Sequence, residues 1–260
     1  LPASRRVSAR PDSATPNIST VSCRYTVRPA MARATSSVAM AAGSLLALLD
    51  DIASVLDDVA LLSKVAAKKT AKKAKSASLA LQSLSEEMRL TALDSMAKAL
   101  LSHKDVIIAE NKKDLDDARA NNLSNALVDR LTLSDKGVVG LSEMCLAVGN
   151  QKQVVGTIAE SHTRADGLLI QKQRIPLGVI GMIFESRPNV VADGIALAIK
   201  SGNAIILKGG KEAAHTNKII FQVIHEATKS VLPEGSMGLI ETREDVAEML
   251  KLHEYIDLMV

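Results

Sequence analysis

The stretch Gly178-Val179-Ile180-Gly181-Met182-Ile183-Phe184 has no polar side chain, and Glu185-Ser186-Arg187-Pro188-Asn189 follows it at once. A short run that is apolar at every position is the pattern of a strand buried on both faces. Downstream, Val190 to Lys200 shows helical spacing and stops at Ser201-Gly202-Asn203, where a helix end is expected. Ala204-Ile205-Ile206-Leu207 is a second apolar strand. A helix is predicted from about Glu212 to Ser230, ended by Pro233 and Gly235. Met237 to Ile240 reads as a third strand, Arg243 to Leu250 as a helix, and Tyr255 to Val260 as the start of a fourth strand. Strand and helix alternating at this pitch mean an α/β fold with a parallel sheet. The chain stops inside an apolar run, as a truncated domain would. Upstream, Leu168-Leu169-Ile170 and Gln171 to Ile175 read as a strand or hairpin arm.

Residues 76–150 read as helices. Ser85-Glu86-Glu87 opens one, with Met88, Leu90, Leu93, Met96, Ala97, Leu100 and Leu101 predicted on its buried side. Asp105 to Arg119 continues the pattern, and Ser134 with Asp135 caps a helix running towards Gly149. Before these, Leu45, Leu48, Leu49, Ile52, Val55, Leu56, Val59 and Leu62 form one apolar stripe, so residues 40–72 read as an amphipathic helical segment. Residues 1–39, rich in Ser, Thr, Ala, Arg and Pro, read as a disordered basic tail. Their Arg-rich, acid-poor composition also matches an organelle transit peptide. The expected division is thus 1–39, 40–72 and an incomplete cofactor-binding part at 73–260.

Composition excludes several functions. The 260 residues hold only Tyr25, Phe184, Phe221 and Tyr255 as aromatics, too few for a base-stacking nucleic-acid surface. The net charge of +3 does not argue for nucleic acid either. Six arginines against Asp12 give the tail a net +5, which leaves −2 for the rest. No stretch of about 18 uncharged apolar residues marks a membrane span. Cys23 and Cys145 cannot build a disulfide scaffold or a cysteine-rich zinc site, and none of the five histidines has a metal-motif spacing. Cys145 reads as a core residue.

Chemistry concentrates after two of the strands. Lys208-Gly209-Gly210-Lys211-Glu212 lies between a strand and a helix, at the edge where open α/β sheets bind ligands. Its glycines permit close backbone approach, its lysines add positive charge, and the next helix offers free N–H groups to an anion. The plain alternative is a tight turn with solvated lysines. A P-loop is excluded, because Glu212 stands where a hydroxyl would hold Mg²⁺. At the other strand end, Asn189 is either an oxyanion donor or a helix cap. Arg187 either forks onto an anionic substrate or pairs with Glu185.

From about Ala71 to Val260 the chain resembles the gamma-glutamyl phosphate reductase (glutamate-5-semialdehyde dehydrogenase) family, within the aldehyde dehydrogenase superfamily. The resemblance is carried by Asp129-Arg130-Leu131-Thr132-Leu133, Pro176-Leu177-Gly178-Val179-Ile180-Gly181, Phe184 to Asn189, Lys200-Ser201-Gly202-Asn203-Ala204, Lys208 to Ala213 and Glu254-Tyr255-Ile256-Asp257-Leu258. It implies a Rossmann-like sheet and NADPH-dependent reduction of L-glutamyl 5-phosphate to L-glutamate 5-semialdehyde, in proline biosynthesis. It places Asn189 at the oxyanion position and Lys208 against the adenosine ribose. Lys211 stands where many NAD-using relatives carry Glu, which favours a 2′-phosphate. Phe184, Glu185, Gly209 and Gly210 fall in the cofactor site, and Arg187 in the substrate site. The family's nucleophilic cysteine lies beyond Val260, so the chain alone is expected to bind cofactor weakly and not turn over. A small-molecule substrate, a homo-oligomer at full length and a cytoplasmic location are also implied, with an organelle as the alternative if residues 1–39 are a transit peptide. Residues 40–71 resemble the N-terminus of a bacterial membrane-protein family of unknown function. Two rival functions follow from the residues: a phosphotransferase of the amino-acid kinase type built on the Lys-Gly-Gly turn, and a non-catalytic membrane-adjacent interaction protein built on residues 40–72.

Overall fold

A computed structural model describes residues 65–260. The expected basic tail, Cys23 and the apolar stripe from Leu45 to Leu62 lie outside the described residues. The first described helix, α1, covers residues 65–82. It buries Ala67, Ala71, Ala74, Ser78 and Leu81, a run at three- and four-residue spacing. The helix is unbroken at residue 72, and Ala67 and Ala71, on the near side of the expected boundary, are buried. Its small residues bring it close to backbone. A Cβ on Gly235 would stand 2.8 Å from the Lys73 carbonyl oxygen, and one on Gly238 would stand 2.7 Å from Thr70 Cγ2.

Four helices follow: α2 (Glu86–Ser102), α3 (Lys104–Ala120), α4 (Asn125–Leu131) and α5 (Asp135–Gly149). Ser85 caps α2 by accepting the Met88 N–H at 3.2 Å, and Ser134 caps α5 by accepting that of Gly137 at 3.2 Å. The buried face of α2 differs from the expectation. Met88, Leu90 and Leu101 are exposed, whereas Arg89, Ala92, Leu93, Met96, Ala97 and Leu100 are buried. Arg89 turns the face, because its guanidinium donates to the Leu84 carbonyl at 2.7 Å, just past the end of α1. Burial lowers the Arg89 pKa, against the opposing pull of Glu86.

An antiparallel hairpin, β1 (Ile158–Thr163) with β2 (Leu169–Gln173), is exposed on every residue. The sequence signalled only its second arm, because Ile158–Thr163 mixes polar residues without a buried face. The parallel sheet follows: β3 (Val179–Ile183), α6 (Asn189–Lys200), β4 (Ala204–Lys208), a 3₁₀ turn (Lys211–Ala213), α7 (Ala214–Thr228), β5 (Met237–Ile240), α8 (Arg243–Met249) and β6 (Leu258–Met259). The strands lie in the order β5-β4-β3-β6, all parallel. Chain order therefore reverses beside β3, as in doubly wound nucleotide-binding sheets. The helix predicted to start at Glu212 instead begins at Ala214, after the 3₁₀ turn.

Asp257 fastens β6 to the sheet. It accepts the Val179 N–H at 2.8 Å and the Lys75 ammonium at 2.6 Å, which also ties in α1. Burial works to raise its carboxyl, but those bonds outweigh it and hold it below the usual aspartate range. The carboxylate occupies the space a side chain at position 178 would need: a Cβ there would lie 2.8 Å from Asp257 Cγ, and Gly178 has φ of +125°. Gly178→Ala should therefore cost about 2–4 kcal/mol from strain and overpacking. Gly140, inside α5 with nothing within 4 Å of a Cβ, is the converse. Gly140→Ala should stabilise by about 0.5–1 kcal/mol. Equilibrium urea unfolding of the two variants measures both signs.

Candidate functional site

The ends of β3, β4 and β5 open into one cleft of about 1550 Å³. Phe184, Glu185 and Ser186 enter it after β3, Lys208 to Glu212 after β4, and Glu241 with Thr242 after β5. Val246, Ala247 and Leu250 give an apolar wall on the α8 side, and Ala118, Leu123 and Leu127 give another from α3 and α4. The register of β3 on β4 sets Ile183 beside Lys208, and the Phe184 N–H donates to the Lys208 carbonyl at 3.0 Å. The two chemical stretches are therefore neighbours by backbone pairing.

Both glycines of the turn are there for close approach. A Cβ on Gly209 would meet Asn217 Cγ at 3.0 Å and Phe184 Cε2 at 3.1 Å. One on Gly210 would meet Glu212 Oε2 at 2.8 Å and the Ser186 nitrogen at 3.3 Å. Lys208 is buried, and its ammonium bonds the Gly209 carbonyl. Lys211 is exposed. Among the described residues, neither lysine has a carboxylate within ion-pair distance. Glu212 turns back towards the Ser186 hydroxyl at 3.4 Å.

The expected free N-terminus of the following helix is not available to an anion. Asp114, buried on α3, already accepts the His215 N–H at 3.1 Å, the Thr216 N–H at 2.8 Å and the Thr216 hydroxyl at 2.5 Å. These bonds start α7 at Ala214. An anion in this cleft is left with the lysines and the Gly-Gly backbone. Asn111, one turn before Asp114, bonds Thr216, the Leu131 carbonyl and the Leu133 N–H, which ties the Asp129–Leu133 stretch to α7. The sequence reading missed both residues. Their signal is the run Ile107, Asn111, Asp114, Ala118, a buried helical stripe with polar residues at two positions.

Phe184, Glu185, Lys208, Gly209, Gly210 and Lys211 thus share one cleft. Arg187 and Asn189 are exposed and lie outside its lining. Arg187 forms no ion pair with Glu185; the two are joined by the Arg187 N–H donating to the Glu185 carbonyl at 2.6 Å. Asn189 does not cap α6, where Pro188 holds the cap position without a side-chain bond. Its amide instead donates to Asp193 Oδ2 at 3.0 Å.

Among the described residues, no three His, Cys, Asp or Glu side chains gather in a metal-binding group, and no helix is long and apolar enough to cross a membrane. Cys145 is fully buried; burial first, then the charge of Asp193, pushes its thiol up to about 12.

The parallel sheet with its chain-order reversal, and a glycine-lysine turn in a cleft at the strand ends, define a doubly wound α/β protein with a cleft at the topological switch point. The sequence model of the aldehyde dehydrogenase family matches residues 51–260, and the chain belongs to that family. It is 47% identical over 193 residues to a gamma-glutamyl phosphate reductase of Caldanaerobacter subterraneus, covering 73% of this chain and 47% of that relative. The crystal structure of gamma-glutamyl phosphate reductase from Thermotoga maritima superposes with a TM-score of 0.72 at 38% identity, over 74% of this chain and 47% of that one. That of the Saccharomyces cerevisiae enzyme gives 0.71 at 35% identity, over 74% and 50%. The chain spans about half the length of these relatives.

The Cys145 environment predicts an inert thiol. With Cys23 replaced by Ser, iodoacetamide at pH 8 should leave the native chain unlabelled and should label it fully in urea. Equal labelling rates in both states would contradict the buried placement.

Proposed function

We propose that this chain is the cofactor-binding half of a gamma-glutamyl phosphate reductase, which reduces L-glutamyl 5-phosphate to L-glutamate 5-semialdehyde with NADPH in proline biosynthesis. One observation carries the reading: two lysines without carboxylate partners and a close-packed Gly-Gly turn share one cleft at the strand ends. The likeness to the reductases supports the particular substrate.

The residues fit a dinucleotide. Gly210 is half-buried in the cleft lining, where a ribose or phosphate could lie against it, and the α8 wall offers apolar surface to a base. Lys208, buried with its ammonium on the Gly209 carbonyl, is assigned to the adenosine ribose by likeness to the reductases. Lys211, exposed at the mouth, would attract a 2′-phosphate, where a carboxylate would repel it. NADPH supplies a hydride when bound. The acyl phosphate must also lose its phosphate to a thiolate, and Cys145, buried and protonated, is not that group. The likeness to the reductases supports assigning the exposed Asn189, at the start of α6, as the N–H donor to the oxygen that gains charge, and the exposed Arg187 as the holder of the substrate's carboxylate.

The exposed hairpin supports a homo-oligomer. Leu168, Leu169 and Ile170 on its second arm, with Ile175 and Leu177 beyond it, present apolar surface to solvent. The metabolic reading carries with it a cytoplasmic location.

Binding of NADPH and NADH to the 260-residue chain, followed by nucleotide fluorescence, tests the proposal. NADPH should bind the more tightly, and Lys211→Glu should weaken NADPH by about tenfold, or 1.4 kcal/mol, while leaving NADH nearly unchanged. Equal loss of both nucleotides would remove Lys211 from the 2′-phosphate site. Competition by ATP stronger than by NADPH would turn the cleft to phosphoryl transfer.

A further inference from the structure

We infer that Asp193 is the positioning residue for Asn189: its carboxylate takes one N–H of the Asn189 amide and leaves the other free for a developing oxyanion. The inference rests on reading Asn189 as the oxyanion donor.

The two residues stand one turn apart at the start of α6, with Asn189 Nδ2 donating to Asp193 Oδ2 at 3.0 Å. A carboxylate only accepts, so the edge of the amide that faces it must be the NH₂. An amide without such a partner turns about its Cβ–Cγ bond between two broad, roughly opposite orientations. In one of these it presents its carbonyl oxygen, which would repel an oxyanion. Asp193 removes that orientation, and the amide keeps its second N–H. No capping bond competes for Asn189, because Pro188 holds the cap position. Asn189 is also the first residue of α6, where the helix dipole adds positive potential.

Asp193 differs from an ordinary surface partner. It is half-buried where α6 packs on α5, and Cys145 on α5 is a titratable group that feels its charge. Burial raises the Asp193 carboxyl, and the bond from Asn189 works in the opposite direction. Once protonated, the group can donate to the Asn189 oxygen and reverse the amide. Ionised Asp193 therefore fixes the amide with its NH₂ edge towards the carboxylate, and protonation releases that constraint.

Nuclear magnetic resonance of the full 260-residue chain, labelled with ¹⁵N at asparagine side chains, tests this. Asn189→Ala assigns the resonance. As pH rises from 3 to 8, one of the two Asn189 amide protons should shift along a single titration centred above the ordinary aspartate range, and the other should move much less. In Asp193→Asn that titration should be lost while the remaining asparagine side chains keep their positions. An Asn189 amide that does not titrate, that moves equally in both protons, or that titrates unchanged in Asp193→Asn overturns the inference. The readout is independent of nucleotide binding. Loss of the Lys211 effect on NADPH would therefore defeat the cofactor reading and leave this contact standing.

Discussion

The parallel pairing of β3 with β4 places everything that matters in this molecule. Val179 to Ile183 lie beside Ala204 to Lys208 residue for residue, and the pairing continues one step further as the Phe184 N–H reaches the Lys208 carbonyl. A slip along these strands would carry Phe184–Ser186 away from Lys208–Lys211 and divide the cleft. The strands are buried, so their register is held by core packing as well as by hydrogen bonds. Ile205, Ile206 and Leu207 sit in one continuous core with Ile195 and Ile199 of α6 and Ile220 and Ile224 of α7. With only four aromatic residues in the chain, that core is built from aliphatic side chains, and Phe184 packs at its edge, where it also walls the cleft.

Polar groups inside the protein do a different job: they decide where elements begin. Asp114 starts α7, Arg89 closes α1 and orients α2, and Lys200 bonds both Glu86 and the Gly149 carbonyl, joining the ends of three helices. Unpaired, such groups are costly to bury, which is why each sits among several partners. With the start of α7 already satisfied by Asp114, Lys208 and Lys211 are the lysines of a cleft whose lining also carries Asp114, Asp117, Glu185, Glu212 and Glu241.

The sheet was legible in the sequence because its strands are apolar on every residue but Lys208. Met237–Ile240 was recovered at both ends, and β3, α6 and β4 to within a residue or two. Lys208, Gly209, Gly210 and Lys211 were legible as the turn after a buried strand, and the structure sets that turn in the lining of the cleft. What escaped the sequence were effects that depend on distant partners. Met88 and Leu90 lost the inner face of α2 to Arg89, whose partners lie beyond the end of another helix. Strand β1 carries no buried face and so no apolar signal. Asn189 was expected to choose between a cap and an oxyanion, and its observed partner, Asp193, is a turn away in an otherwise mostly apolar helix. Asp114 looked like one more solvated charge, and only its place on the stripe with Ile107 and Asn111 marked it as internal.

The central claim is that the cleft at the ends of β3, β4 and β5 receives a dinucleotide. Backbone resonances of the uniformly labelled chain, followed as NADPH is added, test it most directly. Shifts concentrated at Ile183–Ser186, Lys208–Glu212 and Glu241–Thr242 are the result this account predicts. Saturable shifts confined to another surface, such as the smaller hollow between His225 and Met237, would contradict it.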